Sequence, residues 1–290
     1  MRVLVTGGTG LLGRTLLRVL AQSRPDWTVV APTHADMDMT DAHAVERVVR
    51  AFEPNVIVHC AAMTVVDRCE TEAQTARRVN VEGTRHVARA AQYVGARLIA
   101  LSTDYVFDGK KEGAYEENDP ATGSTGVYGT TKREAESIVL ATVSRAVIVR
   151  IAWLYGKGGP DFVHAIARAA RSRPEGLRVV NDQTGSPTST TTVARGLVAL
   201  IEREDVEGIL HLTTQGVVTR YGWAKAIVKR LGLCVPVTPC SSSDYGAPAP
   251  RPANSHLSTA RWYRLGLPAL PTWEADLAAF VADGGVDETL

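Results

Sequence analysis

The fold of this chain is determined by the stretch RVLVTGGTGLLG, residues 2–13 of 290. Residues 2–6 are nearly all apolar and predict a buried β-strand, and glycines at positions 7, 10 and 13 follow the strand directly. Such a loop lets the backbone turn tightly and approach a pyrophosphate, while the N-terminus of the following helix offers free N–H groups to the anion. The order of strand, glycines and helix therefore predicts a dinucleotide-binding unit.

The same alternation of strands and helices continues to about residue 155. Further strands are predicted over residues 28–31, 56–60, 98–102 and 147–152. Crossover helices are predicted over residues 11–21, 42–52, 75–94 and 130–141. Because the strands are apolar throughout instead of alternating, we expect them to be covered on both faces. The pattern predicts an α/β fold with a doubly wound parallel sheet, that is, a Rossmann-like sheet.

The pattern loosens after Trp153 into shorter elements and turns that contain proline. We therefore expect a dinucleotide-binding domain over residues 1–155 and a smaller C-terminal substrate-binding domain over residues 156–290. A further helical stretch within residues 187–207 is expected to return to the first domain.

Composition and charge exclude several classes of protein. Lys and Arg number 32 and Asp and Glu 31, so the net charge of +1 gives no excess for binding nucleic acid or an acidic membrane surface. The first apolar run is too short for a signal sequence or a membrane span. We expect a cytoplasmic globular protein that acts on a small molecule and is a monomer or a homodimer.

The cysteine and histidine patterns point away from metal and disulfide chemistry. The four cysteines, at positions 60, 69, 234 and 240, form no CxxC pair, so reduced thiols are expected. The seven histidines show no HxxxH spacing that would place two ligands on one helical face. No catalytic metal is predicted.

The candidate catalytic pair is Tyr128 and Lys132, a YxxxK motif in which a spacing of four places both side chains on one helical face. An ammonium group near a phenol favours the phenolate and lowers the pKa of the phenol. Tyr128 would then serve as a general acid that protonates a carbonyl oxygen while the carbonyl carbon accepts a hydride from C4 of a nicotinamide. Because YxxxK also occurs by chance in many helices, the motif needs support from other residues.

Thr103 gives that support, since it stands at the end of the predicted strand 98–102. Open α/β sheets bind ligands in the crevice at the carboxyl ends of their strands. A hydroxyl group at this place can therefore face a bound ligand, although a simple cap at the strand end is the alternative.

The end of the second predicted strand bears on the choice of cofactor. It reads Ala31, Pro32 and Thr33, with no carboxylate to accept hydrogen bonds from the ribose hydroxyls of NAD. Without that negative charge a ribose 2′-phosphate is not repelled. Arg14 is a candidate to attract it, and the alternative is that Arg14 is simply a solvated residue of the helix. NADPH is therefore favoured, with NADH possible.

Several longer strings carry a resemblance to a known family. The glycine spacing GxxGxxG resembles the short-chain dehydrogenase/reductase superfamily. The strings AAMTVVD (61–67), STDYVFDG (102–109), RIAWLYG (150–156), NDQTGSPT (181–188) and RPANSHL (251–257) closely resemble the dTDP-4-dehydrorhamnose reductase family through nearly the whole chain.

This resemblance implies the reduction of the 4-keto group of dTDP-4-dehydro-6-deoxy-L-mannose to dTDP-L-rhamnose, with hydride from NADPH and Tyr128 as proton donor. The implied catalytic residues are Thr103, Tyr128 and Lys132. The implied cofactor-binding residues are Gly7, Gly10, Leu11, Leu12, Gly13, Asp38, Met39, Ala61, Ala62, Tyr128 and Lys132. The implied substrate-binding residues are Thr64, Tyr105, Trp153, Gln183, Thr188 and Arg251. A guanidinium such as that of Arg251 suits a diphosphate because its fork bonds two oxygens.

Departures from the family pattern leave the sugar open. Met63 stands where the family commonly carries a polar or aromatic residue beside the sugar, and Ile151 and Ala152 replace a more usual Thr-Ser before Trp153. A 4-ketoreductase for another dTDP-deoxysugar, of the dihydrostreptose type, is therefore an alternative. A non-catalytic alternative is the regulatory subunit of methionine adenosyltransferase, which also resembles this family. Some relatives bind Mg²⁺ through an acidic residue where this chain has Arg14 and Thr15, so that metal is not expected here.

Overall fold

The computed structural model describes residues 1–123 and 125–286. Its strands are β1 (Arg2–Thr6), β2 (Thr28–Val30), β3 (Val56–His59), β4 (Arg97–Thr103), β5 (Ala146–Ile151), β6 (Leu154–Tyr155), β7 (Leu177–Val180), β8 (Thr184–Gly185), β9 (Thr188–Ser189), β10 (Gly208–His211), β11 (Val218–Thr219), β12 (Val237–Cys240) and β13 (Asn254–Ser255). Its α-helices are α1 (Leu11–Ser23), α2 (Ala42–Phe52), α3 (Val66–Thr71), α4 (Ala73–Arg77), α5 (Thr84–Val94), α6 (Gly126–Thr142), α7 (Phe162–Ser172), α8 (Thr190–Glu202), α9 (Arg220–Arg230), α10 (Ser242–Tyr245), α11 (Ala260–Arg264) and α12 (Trp273–Ala282).

Among the described residues, six parallel strands form the main sheet in the order β10-β5-β4-β3-β1-β2. The sheet is buried on both faces, as its apolar strands require: Val3, Leu4 and Val5 of β1 have no exposed surface. Each such side chain contributes about 1.5–3 kcal/mol through its burial. The predicted α/β fold with a Rossmann-like parallel sheet is confirmed.

The strand order reverses between β1 and β3, and their carboxyl ends are fixed together by a buried histidine. The Thr84 hydroxyl donates to the carbonyl oxygen of Asn80, so its oxygen is left to accept from Nε2–H of His59. Nδ1 of His59 then accepts from the hydroxyl of Thr6, at 2.8 Å. Burial lowers the pKa of His59 to about 3, so the ring is neutral. Ligands bind open α/β sheets at such a reversal of strand order.

The long helix predicted over residues 75–94 is interrupted. A π-helical segment, Arg78–Gly83, lies between α4 and α5. Its Asn80 side chain accepts from the backbone N–H of Met63 at 2.8 Å and donates to the Met63 carbonyl and to the Thr131 hydroxyl, both at 3.1 Å. The wider turn therefore joins the loop after β3 to helix α6, which is a common use of π-helical insertions near functional sites.

More of the C-terminal half returns to the main sheet than the sequence predicts. Helix α8 packs on α1, and β10 adds an edge strand beside β5. Trp262 of α11 has no exposed surface and lies in the same core. The expected return of residues 187–207 alone is therefore too short, because the exposed edge of β5 also takes a strand from residues 208–211.

The remaining elements form a smaller unit over the carboxyl ends of the sheet. Its core contains the fully buried Trp223 together with parts of α7, α9 and α12. Asp276 of α12 links this unit to the start of α8: it accepts from the hydroxyl groups of Ser189 and Thr192, at 2.8 and 2.6 Å, and from the hydroxyl of Tyr155 at 3.1 Å. In the described parts of the chain, no helix combines the length and the hydropathy that crossing a membrane requires.

Candidate active site at the carboxyl ends of the sheet

The glycine loop forms a cradle whose shape excludes side chains. Gly7 has a φ of +68°, and a Cβ atom there would lie 2.7 Å from the Cα atom of Ala61. A Cβ atom on Gly13 would lie 2.1 Å from the carbonyl oxygen of Gly7. Glycine is therefore required at both places, for the backbone conformation at the first and for the contact with the loop at the second. The cradle opens at the N-terminus of α1, which suits a pyrophosphate.

Two adjoining cavities meet at this cradle and share Gly7 and Gly10. The central cavity has a volume of about 350 Å³ and the β2-side cavity a volume of about 480 Å³. Together they are lined by all the residues that the sequence assigns to the cofactor: Gly7, Gly10, Leu11, Leu12, Gly13, Asp38, Met39, Ala61, Ala62, Tyr128 and Lys132. The residues present therefore fit a dinucleotide that crosses the cradle.

The β2-side cavity contains Asp38 but not the expected arginine. Asp38 accepts from the backbone N–H and hydroxyl of Thr40, and the residue that caps α2 is Asp41. Arg14 instead donates to the carbonyl oxygen of Gly158, beyond the other end of the cradle. The guanidinium of Arg14 is therefore held away from this cavity and is not placed to attract a 2′-phosphate there. Arg78 lines the cavity instead.

The three predicted catalytic side chains converge on the central cavity. Thr103, Tyr128 and Lys132 all line it, although β4 and α6 are separated by a long loop in the sequence. Nζ of Lys132 donates to the carbonyl oxygen of Leu101 at 2.7 Å, which fixes the ammonium at the end of β4. Burial lowers the pKa of Lys132 to about 8.

The pKa of Tyr128 moves in the direction opposite to the sequence argument. Burial raises the pKa of this phenol, and a hydrogen bond with the Thr103 hydroxyl opposes the shift without reversing it. The expectation that the Lys132 ammonium lowers the pKa of Tyr128 is therefore wrong for the protein alone, because the loss of hydration outweighs nearby charge. A phenol that keeps its proton is still suited to donate it.

Asp104 is a buried group of the site that sequence reasoning did not assign. It lines the central cavity, is 3% exposed, and accepts from the Thr103 hydroxyl at 3.0 Å. Burial raises the pKa of Asp104 to about 6. Its position next to Thr103 at the end of β4 is the signal that would have found it.

A third cavity, the C-terminal cavity, adjoins the central cavity and has a volume of about 930 Å³. Among the predicted substrate residues, Thr64, Tyr105 and Trp153 line the central cavity, and Trp153, Gln183 and Arg251 line the C-terminal cavity. Thr188 is different: it is fully buried, its hydroxyl donates to the carbonyl oxygen of Ser186, and its oxygen accepts from the backbone N–H of Thr214. Thr188 lines neither of these cavities, and its hydroxyl already bonds two backbone groups.

Trp153 stands between the two cavities in a strained conformation. Its φ of +45° lies in the left-handed region, which costs a residue other than glycine on the order of 1–3 kcal/mol. The ring stacks on Trp223, with 5.7 Å between centroids. A Cβ atom on Gly185 would lie 2.6 Å from this indole, so the motif around Gly185 makes room for Trp153. Backbone strain of this kind concentrates at functional sites.

Arg251 lines the C-terminal cavity but already has an anionic partner. Nη2 lies 3.0 Å from Oδ2 of Asp67, and Nη1 lies 3.2 Å from Oδ1. The backbone N–H of Ala249 also donates to Asp67. The pair therefore fastens the segment before β13 onto α3. A second arginine, Arg220, borders both cavities and was not singled out from the sequence.

The described residues, 1–123 and 125–286, hold no group of three or more His, Cys, Asp and Glu side chains placed to bind a metal ion. All four cysteines lie within these residues and are free thiols.

Comparison with known proteins gives a consistent result over nearly the whole chain. The profile of a family described as RmlD substrate binding domain matches residues 1–285. The chain is 41% identical over 287 residues to a dTDP-4-dehydrorhamnose reductase of Mycobacterium tuberculosis, which covers 97% of this chain and 92% of that protein. It is 39% identical over 280 residues to a probable dTDP-4,6-dihydroxy-2-methyloxan-3-one 4-ketoreductase of Streptomyces antibioticus, with 96% and 93% covered.

A solved structure agrees. The crystal structure of a dTDP-4-dehydrorhamnose reductase from Bacillus anthracis in complex with NADP superimposes with a TM-score of 0.93. The two chains are 34% identical, and the match covers 97% of this chain and 99% of that one.

Proposed function

Because this chain belongs to the RmlD substrate-binding-domain family, we propose that it is a dTDP-4-dehydrorhamnose reductase, which reduces the 4-keto group of its dTDP-sugar to give dTDP-L-rhamnose. The observation that carries the proposal is the convergence of Thr103, Tyr128 and Lys132 on one cavity beside the glycine cradle. The cofactor is NADPH, in keeping with the NADP in the related crystal structure and with the lack of a carboxylate at the end of β2.

Tyr128 is the proton donor in this proposal. Bound NADPH would supply a hydride to the carbonyl carbon. The phenol of Tyr128 gives its proton to the 4-oxygen of the sugar, so that ketone, hydride and proton together make the alcohol. Thr103, beside the phenol, donates a hydrogen bond to the same oxygen and holds the ketone in line. Burial that keeps Tyr128 protonated favours this direction of reaction.

Lys132 and Asp104 support these two hydroxyl groups. One N–H of the Lys132 ammonium is used by the Leu101 carbonyl, which leaves two for the central cavity and the hydroxyls of a nicotinamide ribose. Asp104 accepts the one proton of the Thr103 hydroxyl in this structure, and the hydroxyl turns from Asp104 to the ketone oxygen when the substrate binds. Both groups are buried, so their charges act through little water.

The rest of the substrate extends away from the reacting carbon. Thr64, Tyr105 and Trp153 surround the sugar in the central cavity, and Gln183 and Arg251 contact the nucleotide in the C-terminal cavity. The apolar and aromatic walls exclude water, and the polar groups fix the orientation.

A second candidate is a 4-ketoreductase for another dTDP-deoxysugar, and the relative from Streptomyces antibioticus favours keeping it. The proton transfer is the same in both, so only the walls of the cavity choose the sugar. The third candidate is a non-catalytic regulatory subunit. Such a protein would not need the side chains of Thr103, Tyr128 and Lys132 together in one buried cavity.

The deciding experiment supplies the keto sugar from the upstream dehydratase and epimerase and follows the loss of reduced-nicotinamide absorbance, with the product identified by NMR. A rhamnose product supports the first candidate, and a different deoxysugar supports the second. Cofactor binding without any oxidation of NADPH would favour the regulatory subunit.

The alkaline limb of the pH profile should report Lys132. We expect kcat/KM to fall about tenfold per pH unit above about pH 8, because the ammonium, whose pKa is lowered by burial, loses its proton there. Lys132→Arg keeps the charge at all working pH values and should remove that limb, at some cost in rate. An unchanged limb in Lys132→Arg would assign the titration to another group.

Cofactor choice can be tested at the end of β2, where Pro32 lines the β2-side cavity. Pro32→Asp places a carboxylate there, and we expect kcat/KM for NADPH to fall roughly tenfold relative to NADH because the carboxylate repels a 2′-phosphate. Pro32→Asn is the uncharged control of equal size. A wild-type protein that strongly prefers NADH, or equal effects of Asp and Asn, would contradict this view.

We also propose that the protein works in the cytoplasm, where reduced thiols and NADPH are available, as a monomer or a homodimer. Light scattering on the purified protein distinguishes the two states.

A further inference from the structure

Arg220 is the first residue of α9 and stands at the junction of the central and C-terminal cavities. Its guanidinium carbon lies 3.7 Å from the centroid of the Trp153 ring, 5.0 Å from that of Phe162 and 5.6 Å from that of Trp223. Three aromatic rings therefore hold the cation, and they fix its position without using its N–H groups in hydrogen bonds.

The other buried or half-buried arginines of the site region are satisfied within the protein. Arg150 forms an ion pair with Glu136, and Arg251 pairs with Asp67. For Arg220 the described residues supply neither a carboxylate within 4.0 Å nor a hydrogen-bond acceptor; only its backbone N–H is bonded, to the Gln183 carbonyl. A half-buried cation with no ion pair or hydrogen bond, and with only the more distant Asp104 carboxylate as a nearby anion, is costly, so such an arrangement points to a negatively charged ligand.

The position of Arg220 between the two cavities indicates which part of the ligand it contacts. The reacting ring of a substrate lies in the central cavity with Tyr128, and the 930 Å³ of the C-terminal cavity is enough for a nucleoside. Between them a sugar nucleotide carries its diphosphate, whose oxygens match the planar fork of a guanidinium.

We propose that Arg220 binds the diphosphate of the sugar nucleotide and is the principal anion-binding residue of the site. This inference rests on the proposed function. Arg251 was assigned to the diphosphate from the sequence. Both of its Nη atoms donate to Asp67, so it mainly holds the chain segment that borders the cavity. Arg220 thus recognises the charge of the ligand, whereas Arg251 holds the chain segment that borders the cavity.

The test is calorimetric titration of dTDP and thymidine into the wild-type protein, Arg220→Met and Arg220→Lys. Arg220→Met keeps an unbranched side chain among the rings but loses the charge and the fork. We expect dTDP binding to weaken on the order of 10²-fold in Arg220→Met and about tenfold in Arg220→Lys, because the interaction is charge-assisted and bidentate. Thymidine binding, which has no phosphate to lose, should change less than threefold.

Steady-state kinetics supplies the second measurement. KM for the dTDP-sugar should rise as dTDP affinity falls, while KM for NADPH and kcat stay within about threefold, since uniform binding is lost and the proton donor is untouched. The matched control is Arg230→Met, an exposed arginine at the opposite end of α9, for which we expect no change. Retained NADPH binding shows that each variant is folded.

The outcomes separate this inference from the proposed function. Wild-type reduction of the dTDP-sugar together with equal dTDP affinity in all Arg220 variants overturns the role of Arg220 and leaves the function standing. Absence of reductase activity together with dTDP binding that depends on Arg220 overturns the function and leaves an anion site at Arg220. Equal losses in Arg220→Met and Arg230→Met would show a general effect of surface charge and would also overturn the assignment.

Discussion

Turnover is expected to fall by on the order of 10² or more when Tyr128 is replaced by phenylalanine, with NADPH binding retained. The change removes the proton that the ketone oxygen needs and nothing else of comparable size, and removing a general acid has effects of this order. The ring is expected to keep its edge-on contact with Tyr105, in which the centroids lie 5.4 Å apart. Single-turnover reduction of the keto sugar and fluorescence titration with NADPH measure the two quantities.

Tyr93→Phe is the matched control, because this tyrosine is 66% exposed on α5, away from the site, and the change removes the same hydroxyl. It should leave turnover unchanged. Near-normal turnover of Tyr128→Phe would remove the phenol from the mechanism. Loss of NADPH binding in the same variant would instead place its main role in cofactor binding.

The second large effect is expected on stability, at the buried ion pair beneath the site. Arg150 of β5 is 2% exposed at its side chain, and its Nε and Nη2 atoms lie 2.8 and 2.7 Å from the two carboxylate oxygens of Glu136 on α6. Glu136 also accepts from the hydroxyl of Ser102. Arg150→Met leaves that carboxylate buried without its cation, and we expect a loss of about 3–5 kcal/mol in the free energy of unfolding. Urea denaturation measures it.

Two further variants test whether the unpaired buried charge causes this loss of stability. The double variant Arg150→Met, Glu136→Met removes both charges and should recover much of the loss, because the penalty comes from the unpaired charge. Glu134→Gln breaks the exposed pair with Arg77 on the outer side of the same helix and should have no measurable effect. If Arg150→Met were as stable as the wild type, the pair would contribute nothing to folding.

Most of the main sheet could be predicted because its signals are local. A strand that is covered on both faces must be apolar along its length, and β1 to β5 appear within one or two residues of the apolar runs. The Tyr128–Lys132 spacing likewise fixes two side chains on one helical face whatever surrounds the helix. The π-helical segment Arg78–Gly83 was missed because its cause is distant: Asn80 is bound by the loop at Met63 and by Thr131.

The pKa of Tyr128 and the hydrogen-bond partners of Arg14 and Thr188 could not be predicted for a related reason. Sequence spacing shows which charges are near along the helix, but it does not show how much water the fold removes around a phenol. It also gives no sign that the carbonyl of Gly158 lies within reach of Arg14, or that backbone groups already use the hydroxyl of Thr188.

By itself the sequence determined what depends on neighbours along the chain: the parallel sheet, the glycine cradle and the catalytic pair on one face of α6. Only the tertiary structure decided which charged groups remain available to a ligand. Arg251 carried the recognisable motif, yet Asp67 neutralises it, while Arg220 is left unpaired among aromatic rings. The physical reason is that pairing and burial of a charge are set by segments far apart in sequence, which the fold alone brings within hydrogen-bond distance.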